Sequence, residues 1–207
     1  MCRTDNPPSC NGSVTSWHHR LTSLIGDVTC HSDFINTTSD VTVECTDFGA
    51  WQIAGSCLQY KWSNPPLTLF PVAIPLPVRP GWSVCVEGIP TAPIRFTVDL
   101  MVGADNRALH ADFRFQYSTT PNEIIIMGYK YNGAYLGRVE FTSFPFSVNQ
   151  PFHLRIKATD TGMYELIVNN TLCASNPHQP ILPATAITSV NVNNYISVTH
   201  LNLLCSM

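Results

Sequence analysis

The chain has 207 residues, of which 12% are charged and 44% apolar, with 16 prolines and a formal charge of −3. That length accommodates one ordinary domain plus a small one. The composition excludes intrinsic disorder and disfavours a helical bundle, and it carries no basic footprint for nucleic acid.

The longest basic run, His18, His19 and Arg20, reads as a solvated loop. Around it the cysteines are dense: Cys2, Cys10, Cys30, Cys45 and Cys57 precede residue 60, while Cys85, Cys173 and Cys205 are scattered over the rest. Such density points to a disulfide framework closed in an oxidising compartment. Zinc is the competing reading, but no pair of cysteines has the two-residue spacing of a metal knuckle. N-glycosylation sequons at Asn11, Asn36 and Asn169 agree with secretion. No apolar run approaches the roughly 18 residues of a membrane span, so a mature secreted protein or an ectodomain, with no membrane insertion of its own, is expected.

Within the cysteine-rich stretch, Val41–Cys45 alternates as a short strand, and Gly49, Trp51 and Cys57 follow at close spacing. Consecutive prolines at 65 and 66, after Trp62, Ser63 and Asn64, force extended backbone and mark a linker near residues 62–68. We therefore divide the chain into a disulfide-stapled module, residues 1–64, and a second domain, residues 65–207. A strand cysteine followed by Gly, Trp and a closing cysteine resembles the second half of a sushi module. That resemblance implies bridges Cys10–Cys45 and Cys30–Cys57; an unclassified disulfide knot is the other reading. Five cysteines before the linker and three after it require a bridge between the parts if every thiol is oxidised. Otherwise some remain as free, buried, effectively apolar residues.

Beyond the linker the chain reads as a series of short strands at residues 82–87, 94–100, 109–115, 123–127, 137–141, 152–156 and 164–168, most of them alternating apolar and polar. Turn signals separate them: residues 79–81, 103–106, 120–122, 132–133, 160–162 and 169–170. Asn132-Gly133 is the strongest, because both residues tolerate the positive φ of a primed hairpin turn. The expected class is all-β, two packed antiparallel sheets.

One strand carries chemistry. His110, Asp112 and Arg114 stand at i, i+2 and i+4 and project from one face, while Leu109, Ala111, Phe113 and Phe115 fill the other. A polar row backed by an apolar row is a strand with one wet side. The bland reading is a solvated face with surface ion pairs, each worth little.

The strand series resembles the galectin carbohydrate-recognition domain over most of residues 68–207. The resemblance is carried by Ile74-Pro-Leu-Pro-Val-Arg-Pro-Gly81 leading into Val84-Cys-Val-Glu-Gly88, by Arg95-Phe-Thr-Val-Asp-Leu100 and by Ala108-Leu-His-Ala-Asp-Phe-Arg-Phe115. It continues through Gly133-Ala-Tyr135, Phe144-Pro-Phe146, Gln150-Pro-Phe-His-Leu-Arg-Ile156, Val168-Asn-Asn170 and a closing strand pair within residues 187–204. It implies a galectin-like β-sandwich (jelly roll) that reads sugar hydroxyls with a polar row and covers the sugar's C–H patch with an aromatic ring. Several positions depart from the family. Asp112 stands where it has Asn, Met127 or a neighbour replaces its second Asn, and Tyr135 replaces its platform Trp. Its Glu and Arg two residues apart appear here as Arg138 and Glu140 with the charges exchanged. Asp112, Arg114, Arg138 and Glu140 would then form an ion-paired lattice, unless an extra residue near Leu136 shifts the hairpin by one and turns the side chains over.

The expected function is that of a secreted lectin binding glycans or glycoproteins, β-galactosides with altered specificity among them, through His110, Asp112, Arg114, Tyr135, Arg138 and Glu140, with no cofactor or metal. The alternative is a galectin-like scaffold whose sugar site has decayed and whose surface binds a protein receptor. Enzymatic activity is not expected. No nucleophile elbow, phosphate loop or zinc-protease motif occurs, and His110, His153, His178 and His200 lack metal-ligand spacing. Asp112 and Glu140 both lie beside arginines, which opposes the raised pKa a glycosidase acid needs.

Overall fold

The structure is a computed structural model and describes residues 11–20, 23–36, 41–46, 50–117 and 120–205. The chain divides into two compact units, Met1–Lys61 and Trp62–Met207.

The first unit contains β1 (Gly12–Arg20), β2 (Ser23–Cys30), β3 (Phe34–Asn36), β4 (Val41–Cys45), β5 (Trp51–Ala54) and β6 (Cys57–Gln59). A four-stranded antiparallel sheet runs β1-β2-β4-β5, and β3 pairs with β6. Alternation along β4 turns Val41 and Val43 inward, where with Val28 and Cys57 they form a small core covered by Trp17, Phe34 and Trp51. The two tryptophan rings lie 5.6 Å apart. So small a core gains from a covalent staple, and Cys30–Cys57 supplies one. This is one of the two bridges the sushi resemblance implied. Cys45 is also disulfide-bonded, while Cys10, its implied partner, and Cys2 lie outside the described residues. The basic run at 18–20 proves to be strand, not loop. It belongs to β1, whose backbone pairs with β2 as far as Arg20↔Ser23, and His18 sits 3.6 Å from Asp27.

In the second unit follow β7 (Lys61–Ser63, of which Trp62 and Ser63 belong to this unit), β8 (Val72–Ala73), β9 (Ser83–Pro90), β10 (Arg95–Val102), β11 (Asn106–Tyr117) and β12 (Thr120–Tyr131). Then come β13 (Ala134–Phe141), β14 (Phe152–Ala158), β15 (Met163–Val168), β16 (Thr171–Pro177), β17 (Ser189–Asn194) and β18 (Ile196–Asn202). Two six-stranded sheets result, in the orders β13-β12-β11-β10-β17-β8 and β16-β15-β14-β9-β18-β7. No α-helix occurs among the described residues; two single 3₁₀ turns lie at Leu67–Leu69 and Ala184–Ala186.

The sheets stack through their alternating apolar faces. Phe96, Val98 and Leu100 of β10, with Leu109, Ala111 and Phe113 of β11, meet Val84 and Val86 of β9 and Leu154 and Ile156 of β14, all fully buried. Phe96 of the first sheet stacks on Phe152 of the second at 5.3 Å, and Phe146 closes against both rings edge-on. Asn132 and Gly133 adopt φ of 48° and 84°, the primed turn their chemistry favours. Asn169 and Asn170 do the same at 47° and 66°. The turn expected at 120–122 is displaced. Thr120 and Pro121 already pair with Tyr117 and Gln116, and residues 118–119 lie outside the described residues. Pro121 is tolerated because β13 reaches only to Ile125 along β12, leaving that part of β12 with no second strand beside it among the described residues. Cys85–Cys205 bridges β9 to the chain end after β18, and Cys173 is a buried free thiol. The three cysteines after the linker are thus accounted for by one internal bridge and one thiol.

Candidate functional site

Three neighbouring strands at one end of the first sheet, β11, β12 and β13, bring the six expected residues onto one outer face, with β10 behind them. On β11 the alternation is as expected: Leu109, Ala111, Phe113 and Phe115 are buried in the core and His110, Asp112 and Arg114 point the other way. The polar row is far drier than a wet strand face. The side chains of His110 and Arg114 are 13% and 14% exposed and that of Asp112 only 1%. Length explains the difference, because a short aspartate ends near the sheet while the arginines flanking it fold over its carboxylate.

Each buried carboxylate is held by cations. Arg114 donates through Nε to Asp112 Oδ2 at 2.7 Å, and Arg95 of β10 approaches the same oxygen at 3.6 Å. Asp112 Oδ1 is buried without a hydrogen-bond partner. Behind His110 lies Asp99 of β10, its cross-strand neighbour. Asp99 Oδ2 accepts from Arg107 Nε at 2.9 Å, and Asp99 Oδ1 lies 2.6 Å from His110 Nδ1. An ionised carboxylate only accepts, so His110 carries its proton on Nδ1 and keeps Nε2 as the outward-acting nitrogen.

Tyr135 on β13 supplies the aromatic face. The residue is 56% exposed; its ring lies 4.8 Å from the His110 ring and has the Arg107 and Lys130 cations 5.5 and 5.7 Å from its centroid. Arg138 and Glu140 on the same strand pair with each other. Of the expected ion-paired lattice, the Asp112–Arg114 and Arg138–Glu140 pairs form.

The extra residue suspected near Leu136 is a β-bulge. Tyr129 pairs with Leu136 and Met127 with Val139, so Gly137 and Arg138 together oppose Gly128. Gly137 takes φ of +60°, open to glycine at little cost, and the Tyr129 ring lies against it where a Cβ would stand at 2.7 Å. The bulge does not turn the site over. It restores the site, because Tyr135 and Arg138, three apart, would face opposite sides of a regular strand and here line one cavity.

Of Met127 and its neighbours, Met127 pairs with Ala111 and is wholly buried in the core. The polar face of β12 is occupied by its neighbours Ile126, opposite Asp112, and Gly128, opposite His110. Neither offers a hydrogen-bonding side chain, and a Cβ at Gly128 would meet the Leu136 carbonyl at 2.8 Å. The resulting cavity, about 230 Å³, is walled by Arg95, His110, Arg114, Tyr135 and Arg138 around Asp112, with Ile126 and Gly128 beneath.

Sequence reasoning missed Asp99, Arg95 and Arg107. One signal was present: Asp99 interrupts an apolar run between Val98 and Leu100, and a carboxylate so placed needs cationic partners. Among the described residues no three His, Cys, Asp or Glu side chains cluster as a metal site, and no helix is long and apolar enough to cross a membrane. Of the sequon asparagines, Asn11 and Asn169 are exposed and Asn36 is half-buried in β3. Asn169 Oδ1 accepts from the His153 amide at 3.0 Å.

Among known protein families, residues 69–203 match the profile of the galactoside-binding lectins. No curated protein sequence matches the chain. Among solved structures, Caenorhabditis elegans galectin LEC-6 is similar with 20% identity, 69% of this chain and 94% of that one covered, and a TM-score of 0.57. A doubly substituted human galectin-16 matches at 20% identity over 68% and 96% of the two chains, with a TM-score of 0.56. An ancestral congerin, Con-anc, matches at 16% identity over 69% and 97%, with a TM-score of 0.54. At these identities the likeness is one of fold, and the profile match begins only after the first unit.

Proposed function

The chain belongs to the galactoside-binding lectin family, and from that premise we propose that it is a secreted lectin holding a glycan against the outer face of β11 and β13. The observation that carries this reading is the His110–Tyr135 contact backed by Asp99. A hydroxyl-reading imidazole in a set tautomer stands beside an exposed aromatic ring. His110 Nε2 accepts from one sugar hydroxyl, the Arg114 guanidinium donates to a neighbouring one, and the Tyr135 face covers the sugar's C–H patch. Asp112 acts through Arg114 and Arg95, which it holds in place, since its own carboxylate is covered. Arg138, oriented by Glu140, borders the sugar on the far side. Ile126 and Gly128, the β12 residues opposite Asp112 and His110, supply no side-chain hydrogen bond. The ligand is therefore read through fewer hydroxyls, and β-galactoside specificity is altered. No step of covalent chemistry is assigned to these residues. Asn11, Asn36 and Asn169 are proposed N-glycosylation sites, as secretion would allow.

A second reading is favoured by one observation. Tyr135, Leu136 and Val139 leave an exposed apolar stretch on the edge strand β13, which suits a protein receptor. A glycan array probed with the intact protein, Arg114→Ala and Tyr135→Ala separates the two. Losing a charged hydrogen bond or the platform ring should weaken the bound glycans about tenfold or more. Tyr135→Ala removes an exposed ring and spares the fold, so its result stands even if Arg114→Ala is unstable. If no glycan is retained, or if the retained ones ignore both changes, the lectin reading fails and the receptor reading replaces it.

A further inference from the structure

The second sheet has a cleft on its own outer face, remote from β11 and β13. Its volume is about 420 Å³. Register places two rows of side chains across three strands there: His153 of β14, Glu87 of β9 and His200 of β18 in one, and Arg155, Cys85 and Asn202 of the same strands in the other. The Cys85–Cys205 bridge lies along the cleft and ties β9 to the segment after β18.

The hydrogen-bonding capacity of this cleft is lopsided. Its one carboxylate, Glu87, is engaged by His200 Nδ1 at 3.2 Å. Asn202 Oδ1 accepts from the Leu204 amide, which leaves the Asn202 NH₂ as a donor. Arg155 has no carboxylate within ion-pair distance among the described residues, and its Nε is buried with no acceptor. A buried guanidinium N–H without an acceptor is costly and uncommon in native proteins. A site presenting an unmatched arginine, a carboxamide donor and a free imidazole, with its one acid engaged by His200, is complementary to an oxyanion.

We infer that this cleft is a second carbohydrate site, independent of the first, which takes a sulfated saccharide by pairing its sulfate with Arg155. Asn202 and His153 hydrogen-bond the ring hydroxyls beside the charge. Ile167, beside Arg155 in the register of β14 and β15, forms the apolar wall. One sandwich then carries two saccharide sites on opposite outer faces.

The test titrates the intact protein by calorimetry at low ionic strength with three probes: a sulfated chondroitin-type oligosaccharide, its unsulfated counterpart and inorganic sulfate. The sulfated sugar should bind best. Arg155→Gln should weaken it about tenfold with an unchanged melting temperature. Glu87→Gln, by removing the one carboxylate that lines the cleft among the described residues, should tighten binding severalfold, a gain that a damaged fold does not produce. Tyr135→Ala should leave it unchanged, whatever becomes of the first site. Equal binding of the unsulfated sugar, or indifference to Arg155→Gln, overturns the site. Equal binding of inorganic sulfate overturns the saccharide and leaves only an anion site. Loss of binding in Tyr135→Ala moves the acidic sugar to the first face and overturns the inference as well.

Discussion

Asp112 and Asp99 are carboxylates almost sealed from water, and what each contributes depends on the cations around it. Removing Asp112 would take away the carboxylate that Arg114 and Arg95 share. Because Arg95 is one-third exposed and can turn to solvent, Asp112→Ala should cost about 2 kcal/mol rather than the larger penalty of a fully buried pair, as read from urea midpoints. Glycan binding should fall with it. A drop in stability with undiminished binding would show that Arg114 needs no anchor. His178 behaves differently. Burial holds its imidazole below the ordinary value of 6.5, against a smaller opposing effect from a hydrogen bond to the Met163 backbone. Its ring lies 4.1 Å from Tyr164, whose own hydroxyl burial pushes far above the usual range. As pH falls below 6.5 the unfolded chain takes up this proton before the folded one does. Stability is thus full above that pH and declines below it. Urea midpoints at neutral and mildly acidic pH should show the decline, and His178→Gln should flatten it.

The site depends on an irregularity in an element. In a regular β13, Tyr135 and Arg138 would face opposite sides; Gly137 inserts the residue that brings them together. Gly137→Ala combines a positive φ with a Cβ 2.7 Å from the Tyr129 ring. It should cost about 1–2 kcal/mol in chemical denaturation and weaken glycan binding by more than that loss of stability explains. Intact binding in this variant would mean that the edge strand tolerates either register. The same hairpin shows what is legible in a sequence and what is not. Asn132-Gly133 could be read as a turn because positive φ is a property of those residues themselves. Gly137 could only be suspected, because a bulge is defined by two residues facing one on another strand. The turn expected at 120–122 shows the reverse error, since turn-forming residues there already lie in the pairing of β11 with β12.

For the whole second unit, Cys85–Cys205 joins residues 120 apart in sequence. Loop-closure entropy for so long a span gives about 4–5 kcal/mol, an upper figure because the unfolded chain is not a random coil. Cys205→Ser should accordingly lower the melting temperature by about 10 °C, and a reducing agent should reproduce the fall in the unsubstituted protein. Cys173→Ala, which removes a buried thiol and no bridge, should shift it far less. What the sequence by itself determined was the all-β class, the positions of most strands of the second unit and the two faces of β11. Those follow from period-two alternation and turn chemistry, which are local. The tertiary structure alone decided that Asp99 and Arg107 stand behind His110, that Met127 turns into the core and leaves Ile126 and Gly128 facing the polar row, and that Arg155 faces a cleft whose carboxylate, Glu87, is engaged by His200 instead. Each of these is set by cross-strand register and by the distance a side chain reaches over its neighbours, and neither is written within a single strand.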